Sequence, residues 1–168
     1  MVARAVPVQA GSSSSAMAVP HGPASVSAAR RRLRNDLGDR SIPDAVIDDA
    51  VLILSELLSN SCRHARPLPV EEPVDQPDDD ADAEIGTVLV SWRMQGDGLL
   101  TLEVTDGGAS TRPMPAGPSV TAHGGRGLNI VGQLARDWGV RHAPGQVTVW
   151  AELPAFGQVA RGGERRSA

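Results

Sequence analysis

The stretch 43–65 limits most strongly what this chain can fold into. Ile47, Val51, Leu54, Leu58, Cys62 and Ala65 recur at three- and four-residue steps. At about 100° per residue they share one side of a helix, and Glu56, Asn60, Arg63 and His64 share the other. A carboxylate, an amide and two nitrogen groups thus stand one turn apart on a surface whose back is anchored in a core. Taken alone, the polar side is either an ordinary wet face or the wall of a site.

The flanking elements follow from punctuation. Residues 1–23 are rich in Ala, Ser, Pro and Gly, with Ser12 to Ser15 in a row, and read as a disordered leader with at most a short strand over 16–19. Ser25 or Ser27 can cap a first helix whose stripe is Val26, Ala29, Leu33 and Leu37, with Gly38 as its stop. Arg30, Arg31, Arg32 and Arg34 crowd its polar side, either as a solvated face or as a contact for phosphate or an acidic partner. Ser41 and Asp44 have capping-box spacing and Pro43 suits a first helical turn, so the long helix starts there and stops before Pro67 and Pro69.

Residues 67–85 read as an acidic, Pro-rich loop insertion, because like charges oppose packing. Residues 87–94 and 99–105 read as two strands around the turn Gln95-Gly96-Asp97-Gly98. In the second, Leu100, Leu102 and Val104 alternate with Thr101, Glu103 and Thr105, which buries one face. Residues 107–126 form a long Pro- and Gly-rich loop of the kind that serves as a lid. A helix is expected over 128–138 with Leu128, Val131, Leu134, Ala135 and Trp138 inward, then an antiparallel pair over 140–142 and 147–153, and a flexible tail over 154–168. The pattern is one α+β domain over 24–153: a two-layer sandwich, a mixed, mostly antiparallel sheet with helices on one face.

Composition removes several chemistries. All sixteen basic residues are Arg and none is Lys. That excludes the P-loop, the strand lysine of protein kinases and Schiff-base catalysis. Phosphate here must be held by backbone amides, a metal or Arg. With three Trp, one Phe and no Tyr, stacking platforms for single-stranded nucleic acid are nearly absent. The single Cys62 can form neither an internal disulfide nor a cysteine metal cluster and suits a small buried apolar role. Eight acids and no base lie in 71–84; against a net charge of −4 the remainder is therefore +4, which suits a small anionic ligand. With no signal-like apolar segment and no membrane span, a cytoplasmic protein is expected, touching neither membrane nor nucleic acid directly.

Two glycine motifs carry further chemistry. Asp106 ends a buried strand and is followed by Gly107 and Gly108. A carboxylate there can accept a hydrogen bond from an exocyclic amine such as N6 of adenine, while Gly108 lets a flat ring approach the backbone; a common Asp-Gly turn is the plainer alternative. Gly124-Gly125-Arg126-Gly127 opens a helix, where free amides and the helix dipole attract phosphate.

The order of these motifs resembles the histidine-kinase-like ATPase family of gyrase, Hsp90, MutL and sensor-kinase ATP domains. Within it the chain is most similar to the small single-domain branch that includes bacterial anti-sigma-factor serine kinases. Glu56-Leu57-Leu58-Ser59-Asn60-Ser61-Cys62-Arg63-His64-Ala65 resembles the N box, with Ser61 where Ala is usual. Val104-Thr105-Asp106-Gly107-Gly108 resembles the first glycine box, residues 124–131 the second, and residues 148–153 the closing strand.

The resemblance implies the Bergerat ATP-binding fold, ATP and Mg2+ as cofactors, and a role for each matching residue. Asn60 ligates Mg2+, Glu56 is the catalytic base, and Asp106, with Thr148 in support, reads adenine. Gly108 lies against the base, and Gly125, Gly127, Leu128 and nearby amides hold phosphate. Arg63 and His64 line the cofactor side, where His64 either faces phosphate or makes a helix-end hydrogen bond. Apart from the resemblance, the need to neutralise developing charge in a chain without Lys makes Arg126 or Arg112 a candidate for that role.

The implied function is an ATP-binding regulator, an anti-sigma-factor-like serine/threonine kinase acting on an antagonist protein. A sigma factor or that antagonist is the expected partner, and a homodimer is possible. The alternative is a non-catalytic module that uses ATP only to set its shape for a protein partner.

Overall fold

The computed structural model describes residues 13–69, 86–108 and 127–156. Their order is β1 (Ser13–Pro20), α1 (Ala24–Asp39), α2 (Asp44–His64), β2 (Thr87–Met94), β3 (Leu99–Asp106), α3 (Gly127–Leu134), β4 (Asp137–Ala143) and β5 (Gln146–Pro154). The strands form a five-stranded sheet in the order β1-β2-β3-β5-β4, and all four neighbouring pairs run antiparallel. α2 packs on β3 and β5, with α1 and α3 at its sides.

Strand alternation assigns the two faces. Trp92 pairs with Leu102, and Leu102 with Ala151; all three are buried. They meet Leu33, Leu37, Leu54 and Leu58 of the helices in one core. Burying each such side chain contributes about 1.5–3 kcal/mol, against about 1 kcal/mol for a typical helix cap. Neither α1 nor α2 has a side-chain cap bond, so packing holds them.

The expected caps are therefore corrected. The Ser25 hydroxyl donates to the carbonyl of Pro20, outside the helix. Gly38 does not stop α1, which runs to Asp39. Ser41 N–H bonds Gly38 O at 3.1 Å and Ile42 N–H bonds Leu37 O at 3.2 Å, the paired closure that needs a left-handed residue between helix and exit. That residue is Ser41, with φ 59°. Ile42 then buries against the core at 5% exposure.

Three further expectations change. Residues 13–20, expected within a disordered leader with at most a short strand over 16–19, pair along the whole of β2. A Ser-Ala segment has little intrinsic strand preference, and tertiary pairing supplies what propensity lacks. The last helix ends at Leu134, and Trp138 lies in β4 opposite Ala151. There Arg136 N–H already donates to Glu152 O at 2.7 Å, which draws the chain onto β5. On the sheet's outer face Thr101 is buried, although its strand suggested a wet polar side; the Gln95 amide covers it, bonding its hydroxyl at 2.6 Å. The bulk of the acidic loop, the long loop after Gly108 and the tail after Phe156 lie outside the described residues.

Asp36, which sequence reasoning did not single out, joins three elements. Its Oδ2 accepts the Trp92 indole N–H at 2.6 Å and the Ser15 hydroxyl at 3.2 Å, and it pairs with Arg40 at 2.9 Å. Of the α1 arginines, Arg34 pairs with Asp48 of α2 at the surface.

Candidate functional site

Asp106 is the last residue of β3. Leu100, Leu102 and Val104 face the helices, so by alternation Asp106 does too. It is 5% exposed. Its Oδ1 accepts the backbone N–H of Gly108 at 2.8 Å, and its Oδ2 accepts the hydroxyl of Ser61 at 2.7 Å. A carboxylate has about four acceptor positions, so capacity is left for a further donor. Gly108 has φ +86°, and a Cβ there would stand 3.3 Å from Val147 Cγ2. Glycine is needed for that conformation, and the conformation turns the Gly108 N–H back onto the carboxylate.

The chain leaving α2 is sewn to this corner. Arg66 N–H donates to Gly108 O at 2.8 Å and Gly107 N–H to Arg66 O at 2.7 Å. The approach is close: a Cβ on Gly107 would lie 2.6 Å from the Pro67 carbonyl oxygen. The end of α2 is also held from the β1–α1 turn. His21 Nε2 lies 2.9 Å from Ala65 O and 3.2 Å from Ser61 O. Both partners are acceptors, so this nitrogen carries the proton.

The last turns of α2 therefore stand beside Asp106. Asn60 precedes Ser61 in the chain and lies one turn from Glu56; both are half-buried. Residues at this spacing have Cβ atoms about 5–6 Å apart. Arg63 and His64 are exposed. Cys62 is half-buried and its thiol meets Gly22 O at 3.5 Å. Gly127 opens α3, which lies against α2, and Leu128 is half-buried. Gly125, Arg126 and Arg112 lie outside the described residues.

Thr148 is not brought to this corner. It pairs with Thr105, and the two hydroxyls bond at 2.7 Å. Thr105 and Asp106 are consecutive on one strand and point to opposite faces, so Thr148 faces away from the helices. The residue opposite Asp106 is Val147. A shift of one residue along a strand exchanges its faces; only the register reveals which neighbour lines the site.

Among the described residues no cluster of three or more His, Cys, Asp or Glu could hold a metal. Mg2+ usually takes one or two protein oxygens and completes its shell with phosphate and water. The Asn60 amide oxygen, one turn from the Glu56 carboxylate, fits that sparse mode. Cavity size does not locate the site. Two cavities of about 400 Å³ lie on the outer face at Arg93, Glu103 and Trp150, and between the start of α2 and the end of α3; neither touches Asp106, Asn60 or Glu56.

The model of the histidine kinase-like ATPase domain matches residues 19–153. The chain belongs to the histidine kinase-like ATPase family. That span holds Glu56 and Asn60 in α2, Asp106 in β3 and Gly127 at the head of α3. Among solved structures, the RsbU and RsbW domains of Rv1364c from Mycobacterium tuberculosis match with a TM-score of 0.57 and 17% identity. The match covers 86% of this family member and 33% of that chain, so this protein spans about a third of the solved one. At that identity the likeness concerns the fold. No curated protein matches the sequence significantly. Among the described residues of this ATPase-like domain, no helix is long and apolar enough to cross a membrane.

Proposed function

We propose that this protein is an ATP-binding regulator that acts as an anti-sigma-factor-like serine/threonine kinase. The observation that carries the reading is the Ser61–Asp106 hydrogen bond of 2.7 Å. It joins the helix of Glu56 and Asn60 to a buried carboxylate with acceptor capacity to spare, within a family of ATPase domains. Asp106 accepts from the adenine amine, and Gly108 leaves room for the ring. Asn60 holds Mg2+ through its amide oxygen; when bound, the ion neutralises charge on the phosphates.

Glu56 is then the base. The serine or threonine hydroxyl of an antagonist protein bonds to the γ-phosphorus, the bond from that phosphorus to the bridging oxygen breaks, the hydroxyl proton passes to Glu56, and ADP leaves. Gly125, Gly127 and Leu128 hold phosphate by their amides, and Arg126 or Arg112 offsets developing charge. Arg63 and His64 flank the cofactor from the exposed end of α2. The partner is a sigma factor, an antagonist protein or both, in the cytoplasm.

Labelled ATP and candidate antagonists test this. Transfer by the wild type is expected and should be lost in Glu56→Ala while ATP still binds. Calorimetry with Asp106→Asn should show a loss of about 1–3 kcal/mol in ATP affinity, the cost of an unpaired buried polar group. Full transfer by Glu56→Ala removes the proposed base. ATP binding without transfer to any partner leaves the non-catalytic module.

A further inference from the structure

Ser61 lies on the side of α2 that faces β3, and its hydroxyl is spent on Asp106. The torsion that orients an Asp carboxylate is broad, with two equivalent settings. The Gly108 N–H reaches one oxygen only. A second donor, from a different element, fixes the carboxylate plane and decides where the remaining acceptor positions point. Ser61 is itself 5% exposed, so water cannot readily stand in for its hydroxyl. The bond also spans α2 and β3, and so sets the separation between the Asn60 end of the site and the Asp106 end.

We propose that Ser61 is a positioning residue for the base: through Asp106 it sets selectivity for purines that carry a 6-amino group. The proposal rests on the reading of Asp106 as the adenine contact. A fixed carboxylate receives an amine donor without first losing rotational freedom. A freely turning one binds the same amine less well and discriminates less against purines that lack it or carry an oxygen there.

The test is calorimetry of ATP, GTP and purine riboside triphosphate, which lacks the 6-amino group, on wild type, Ser61→Ala and Ser61→Cys. For Ser61→Ala, ATP affinity should fall by up to about tenfold, the upper end of the cost of fixing one side chain on binding, with purine riboside triphosphate within about twofold of wild type. Ser61→Cys keeps a weak donor and should fall between. Melting curves of each variant report folding separately.

An unchanged preference for ATP in both variants overturns the role of Ser61 and leaves ATP binding intact. Equal weakening of all three nucleotides overturns it too, because a merely structural serine would act that way. A wild type that binds none of them overturns the reading of Asp106 and this inference with it.

Discussion

The hydroxyls of Thr105 and Thr148 meet at 2.7 Å on the face of the sheet away from the helices. Asp106, one residue further, turns to the other face and finds Ser61 at 2.7 Å. Two threonines that read as site residues or strand filler thus stitch β3 to β5, and Val147 takes the place opposite the carboxylate.

Thr148→Val should therefore leave ATP affinity within about twofold and lower stability by about 1–2 kcal/mol, because the Thr105 hydroxyl loses its partner at a buried position. Val147→Phe should do the reverse, crowding the space beside Gly108 and weakening ATP while the fold persists. Calorimetry and urea melts on both variants check this. A Thr148→Val protein that no longer binds ATP would place that threonine in the site after all.

Gly107→Ala should destabilise by about 1–3 kcal/mol, the range for forcing extra volume into a packed region. The added methyl would press on the Pro67 carbonyl oxygen at 2.6 Å and the Arg66 carbonyl oxygen at 3.0 Å. Those are backbone atoms and cannot swing aside. Because Gly107 N–H also bonds Arg66 O, ATP affinity should fall with stability. Wild-type melting of the variant would mean that the chain after α2 does not dock here.

Ser41→Gly should stabilise the protein by about 0.5–1 kcal/mol. Ser41 sits at φ 59°, where a Cβ costs about 1–2 kcal/mol, and the greater freedom of glycine in the unfolded chain returns part of the gain. Its own side chain caps neither helix. A higher urea midpoint with an unchanged slope is the expected readout. A loss of stability would show that the serine hydroxyl matters more than the strain.

Local pattern was enough for part of this molecule. The steps from Ile47 to Leu58 located α2 and the side it buries, because a helix of that length has few other ways to hide its apolar stripe. β2 and β3 were legible from alternation and the Gly96-Asp97-Gly98 turn. The order of Glu56, Asn60, Asp106 and the glycine turn at Gly127 pointed to the family that the domain match shows.

Tertiary structure decided the rest. β1 exists because β2 offers an edge to Ser-Ala residues that would not choose a strand alone. Trp138 left the expected helix because β5 bound the preceding backbone. Thr148 and Val147 are adjacent in sequence and opposite in space, and only the pairing of β3 with β5 says which one meets Asp106. The sequence by itself determined which residue types could do the chemistry, because periodicity is local. Which of them share a corner was decided by register and by contacts between distant segments, such as Ser61 on Asp106, which no local pattern encodes.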